Sequence, residues 1–105
     1  MSCVKRGHAE RHMEVDHPAA SGHFPGNPII PGAVLLAEII REIAARHPGL
    51  ICRQIAAAKF LLPVRPGDRL AIDWEPAANG DVRFTCALGP EGPRALTGAL
   101  RFGPR

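Results

Sequence analysis

Pro31-Gly32 and Pro48-Gly49 bracket an apolar stretch in which Val34, Leu35, Leu36, Ile39, Ile40 and Ile43 recur at helical spacing. This pattern constrains the chain more than any other. Proline is tolerated at a helix start, where its missing N–H would be unpaired anyway, and Pro-Gly ends a helix. A helix from about Gly32 to His47 is expected, roughly 24 Å long at 1.5 Å per residue. Arg46 and His47 fall in its last turn, where positive charge suits the helix dipole. Its apolar residues cover much of the circumference, so the rest of the protein is expected to wrap it.

The remainder reads as β structure. Residues 8–15 alternate weakly and suggest an edge strand, ended by Asp16-His17-Pro18. Residues 50–62 contain a long apolar stretch, and Pro63 to Asp68 form a turn. In 69–75, Leu70, Ile72 and Trp74 point one way and Arg69, Ala71, Asp73 and Glu75 the other. Asn79-Gly80-Asp81 signals a hairpin. Val82, Phe84, Cys86 and Leu88 then alternate with polar and small residues; Pro90 to Pro93 turn the chain again, and 94–102 make a last strand. One long helix followed by a meander is α+β, an antiparallel sheet wrapped around one central helix. Such a sheet has edges, and one chain leaves part of the helix uncovered; dimerisation that joins the sheets resolves both.

At 105 residues a single domain, 1–105, is the default. Hydrophobic content of 46% argues against disorder. The charge of +3 comes from dispersed basic residues with few aromatics between them, so nucleic-acid binding is not expected. Cys3, Cys52 and Cys86 show neither metal-ligand spacing nor a disulfide framework. No run is apolar enough for a bilayer span and no signal peptide is evident, so a cytoplasmic protein without membrane span is expected.

Residues 22–32, Gly-His-Phe-Pro-Gly-Asn-Pro-Ile-Ile-Pro-Gly, run straight into the helix. This stiff loop aims His23 at a helix N-terminus, whose unpaired N–H groups and partial positive charge suit a developing oxyanion. A histidine beside such a site points to acid–base chemistry on a carbonyl compound.

His23-Phe24-Pro25-Gly26, Pro28 and Pro31-Gly32 resemble the signature of the hotdog-fold 3-hydroxyacyl-(acyl-carrier-protein) dehydratases of bacterial type II fatty-acid synthesis. Ala58-Lys59-Phe60, Pro63-Val64 and Pro66-Gly67-Asp68 are similar to the strand and turn that follow the helix in that family. The resemblance implies a hotdog domain in which His23 takes the proton alpha to the thioester carbonyl and the Gly32 N–H polarises that carbonyl. It implies acyl contacts at Phe24, Pro25, Gly26, Ile30, Ala33 and Ala37, with no metal and no cofactor. The substrate would be a thioester of acyl carrier protein or CoA, in fatty-acid or specialised lipid or polyene biosynthesis. The assembly would be a homodimer or higher homo-oligomer, or a heteromer with another hotdog subunit.

One position departs from the family. The helix acid that helps expel the hydroxyl, donated across the dimer, falls on Ala37, and the next residue is Glu38. One residue turns a side chain by about 100° around a helix, which puts Glu38 on the polar stripe with Arg41 and Glu42. Glu38 is then either a displaced catalytic acid or a salt-bridged helix carboxylate. Three functions follow: a complete dehydratase using His23, Gly32 and Glu38, an acid-lacking partner in a heteromeric dehydratase, or a hotdog thioesterase.

Overall fold

The computed structural model describes residues 4–14 and 29–105. Along them run β1 (Gly7–His12), α1 (Gly32–Ala45), β2 (Leu50–Phe60), β3 (Arg69–Pro76), β4 (Val82–Leu88) and β5 (Arg94–Pro104). The strands form one antiparallel sheet in the order β1-β3-β4-β5-β2. β3, β4 and β5 are a meander. β2 precedes them in the chain yet lies beyond β5, so β1 and β2 form opposite edges.

The predicted alternation sets the core. Leu70, Ile72 and Trp74 of β3, Val82, Phe84 and Cys86 of β4, and Leu96 and Leu100 of β5 are buried together with Leu35, Leu36, Ile39 and Ile43 of α1. Each such helix side chain stabilises the packed state by roughly 1.5–3 kcal/mol relative to exposure. Burial pushes the Cys86 thiol up to about 11, as befits a core residue. The Asn79-Gly80-Asp81 hairpin forms as expected. Gly80 takes φ 89°, the left-handed region that glycine adopts at no steric cost. The Asn79 side-chain oxygen accepts the Asp81 N–H at 3.0 Å, and Ala77 N–H donates to the Asp81 carbonyl at 2.7 Å.

Two expectations are corrected, and one strand is more exposed than its composition suggests. β1 ends at His12, inside the predicted 8–15; beyond it Met13 bonds the turn before β3, its N–H donating to Asp68 O and its carbonyl accepting from Gly67 N–H. α1 ends at Ala45 and stops short of His47, because His47 closes the helix end with its side chain. Its Nδ1 meets the Ile43 carbonyl at 2.8 Å and its Nε2 accepts the Lys5 N–H at 3.1 Å. His47 is therefore a half-buried residue that caps the helix end. The apolar stretch after α1 is a strand, but from Arg53 to Phe60 it is exposed: β2 is an edge, with no strand beyond it among the described residues. Ile55, Phe60, Leu61 and Leu62 are 45%, 53%, 43% and 40% exposed.

Candidate functional site

Pro31 occupies the position just before α1, with φ −58° and ψ 143°, and its carbonyl accepts the N–H groups of Val34 and Leu35 at 3.0 and 3.1 Å. The Gly32 and Ala33 N–H groups find no acceptor among the described residues. Among the described residues, two donors of the first turn thus have no partner at the positive end of the helix dipole. The segment leading into them is fixed from below. Ile30 is buried, and its N–H donates to the Val64 carbonyl at 2.7 Å, tying the helix entrance to the turn after β2.

An apolar cleft of about 530 Å³ opens at this end of the helix, lined chiefly by Ile29, Ile30, Leu35, Phe60, Leu61 and Leu62, with Gly32 and Ala33 at the helix start. The Phe60 ring lies on Gly32. A Cβ on residue 32 would come within 2.6 Å of Phe60 Cε1 and 2.7 Å of Cζ. A side chain at residue 32 would have to displace the exposed Phe60 ring from its place in the cleft. Chemically, the cleft offers an acyl chain an apolar wall and a carbonyl oxygen two backbone donors. In a larger hollow of about 680 Å³, lined by Arg6, Glu75, Arg83 and Thr85 among others, Arg6 and Arg83 both pair with Glu75.

Glu38 lies elsewhere. Its carboxylate is 12% exposed and pairs with the Arg11 guanidinium of β1; Arg41 bonds its other oxygen at 3.4 Å. Arg11 also reaches Glu42 at 3.1 Å, and Glu42 meets Arg46 at 3.4 Å. Arg46 in turn donates to the His8 carbonyl at 2.6 Å and stacks over Trp74 at 5.2 Å from the ring centroid. This network binds α1 to the β1 edge. Ala37 is half-buried and, at about 100° per residue, points nearly opposite to Leu35 and Ile39, away from the chain's own sheet.

Of the residues singled out by sequence, Ile30, Gly32 and Ala33 come together in the cleft; Ala37 and Glu38 do not line it. His23, Phe24, Pro25 and Gly26 lie outside the described residues, as do Asp16, His17 and Asn27. Phe60, Leu61 and Leu62 were missed as site residues. Three successive large apolar side chains directly before Pro63 were the available signal.

Similarity to known proteins bears on the fold and the family. The family described as ApeI-like, ApeI dehydratase, matches residues 4–95. A 3-hydroxyacyl-(acyl-carrier-protein) dehydratase FabZ from Thermomicrobium roseum is 31% identical over 80% of this chain and 74% of its own length. The FabZ of Chlamydia trachomatis serovar L2 is 36% identical over 64% of this chain, which spans only 50% of that relative. Among solved structures, the dehydratase heterocomplex ApeI:P from Xenorhabdus doucetiae superposes with a TM-score of 0.78 at 21% identity, covering 98% of this chain and 90% of the other. The fold is the hotdog, and the chain belongs to the ApeI-like dehydratase family.

Proposed function

We propose that this chain is the histidine-bearing, acid-lacking subunit of a 3-hydroxyacyl-thioester dehydratase, acting on a thioester of acyl carrier protein or CoA. His23 takes the proton from C2 of the substrate. The Gly32 N–H holds the enolate oxygen that forms, with the helix dipole behind it. A carboxylic acid protonates the C3 hydroxyl, which leaves as water, and a trans-2-enoyl thioester remains. That acid belongs to a second hotdog chain.

The carrying observation is the division between positions 37 and 38. An acid on the Ala37 face would point out of this subunit, toward a partner's site. Glu38 points into its own chain and is engaged by Arg11. Turning it outward would break that pair and leave Arg11 with Glu42 alone, a cost of about 1–3 kcal/mol for the groups left unpaired. The apolar residues exposed on and just after edge strand β2 support an assembly with another hotdog chain. The solved structure with TM-score 0.78 is itself a dehydratase heterocomplex, which is a precedent for two unlike subunits.

Affinity purification from the native host, followed by a hydration assay on a trans-2-enoyl thioester, tests this reading. A second hotdog chain with an acid on its helix is expected to co-purify, with activity in the complex and none in the isolated chain. His23→Ala in the complex is expected to lower the rate by about 10²–10⁴-fold. Full activity in His23→Ala would contradict the reading.

A further inference from the structure

The wall of the cleft beside Gly32 is one aromatic ring. Phe60 is 53% exposed and so contributes little to the core. Its edge nevertheless occupies the space a Cβ on residue 32 would need, within 2.6–2.7 Å of that position. The Gly32 nitrogen is one bond from the same Cα. An oxygen accepting from that nitrogen at about 2.9 Å sits at the same corner of the helix as the ring. If the oxygen is the thioester carbonyl, as in the reading above on which this inference rests, C2 of the acyl group is two bonds from it.

We infer that Phe60 determines specificity at C2: its ring admits a straight acyl chain and rejects one carrying a methyl branch on the alpha carbon. The ring is flat, and the enoyl thioester is planar from carbonyl to C3, so an unbranched substrate lies along it. A methyl on C2 projects from the chain next to the carbonyl and competes with the ring for the same volume. The neighbours Ile29, Leu61 and Leu62 are apolar, so a methyl group meets no polarity barrier there. The discrimination is one of space. One methyl-sized difference in an apolar pocket is worth about 10–200-fold in kcat/KM.

The test compares hydration of trans-2-butenoyl and 2-methyl-trans-2-butenoyl thioesters of N-acetylcysteamine by the co-purified complex. The quantity read is the ratio of the two kcat/KM values, which is internal to each preparation and insensitive to partial loss of folded protein. The wild-type complex is expected to favour the straight substrate by at least about tenfold. Phe60→Ala is expected to shift the ratio toward the branched substrate by about tenfold or more, and Phe60→Leu by less. A ratio unmoved by Phe60→Ala, in a complex whose straight-chain activity still depends on His23, would overturn this inference and leave the dehydratase reading intact. Hydration of neither substrate by the wild-type complex would overturn both.

Discussion

The two flanks of α1 have opposite characters. On the flank facing β1, every carboxylate is paired within the chain: Glu38 with Arg11 and Arg41, Glu42 with Arg11 and Arg46. On the other, Ala33, Ala37, Ile40 and Ala44 present small or apolar side chains that the described residues leave exposed or only half-buried. The two sheet edges repeat the contrast. β1 is held to the helix by Arg11 and Arg46, while β2 and the residues after it leave Ile55, Phe60, Leu61 and Leu62 exposed. One side of the molecule is finished by its own charges. The other leaves small and apolar side chains open, and in the proposed reading the acid absent at Ala37 would come from a chain packed there.

Breaking the open side has the largest expected effect. Ile40→Glu places a charge where a partner helix would pack. Association is expected to weaken by at least about 30-fold, the value of a loss of 2 kcal/mol at a central contact, as read by light scattering after gel filtration. A complex of unchanged affinity would show that this flank is not the interface.

Breaking the closed side acts on stability. Arg11→Met leaves two mostly buried carboxylates short of a partner and is expected to cost about 1–3 kcal/mol. At roughly 4–8 °C per kcal/mol for a domain of this size, thermal melting resolves that change. Adding Glu38→Gln to Arg11→Met is expected to cost less than the sum of the two single changes, because they share one network. Strict additivity would mean that the pair contributes nothing to the fold.

Smaller effects follow from titration. The Arg101 guanidinium, 2.9 Å from Asp81, holds that carboxyl below the usual carboxylate range. A depressed pKa stabilises the fold above the ordinary value of 3.8, and the contribution is lost as pH falls through the lower folded value. Acid unfolding monitored by circular dichroism is therefore expected to begin at higher pH in Arg101→Met. Smallest is His8, at the β1 edge, whose pKa is raised by its hydrogen bond to Asp73 at 2.7 Å and then by Glu10. A raised pKa contributes stability below the ordinary 6.5 that is lost as pH rises through the folded value. His8→Gln is expected to remove a slight fall in melting temperature above pH 6.5; an unchanged pH profile would leave the pair without effect.

The parts of this molecule legible in its sequence are those set by local period. The helix start at Pro31-Gly32, the alternation of Leu70, Ile72 and Trp74, and the Asn79-Gly80-Asp81 hairpin each depend on residues a few positions apart. The family signature at 22–32 points to a candidate site at the helix start, of which Ile30 and Gly32 are among the described residues. Illegible were the pairings across distance. Whether Glu38 turns inward depends on Arg11, 27 residues earlier and on a different element. Whether Gly32 must lack a side chain depends on Phe60, which another strand brings to it. The exposure of β2 also escaped pattern reading, because an apolar strand reads alike at the centre of a sheet and at an edge awaiting a partner.

The most direct test of the central claim, that the dehydrating acid comes from outside this chain, is the hydration rate of a trans-2-enoyl thioester measured on the purified chain alone and on its Glu38→Gln variant. The account predicts no turnover above background in either, with activity appearing in the wild-type chain when the co-purified partner is added. Turnover by the chain alone that disappears in a folded Glu38→Gln variant would contradict it and make Glu38 the acid.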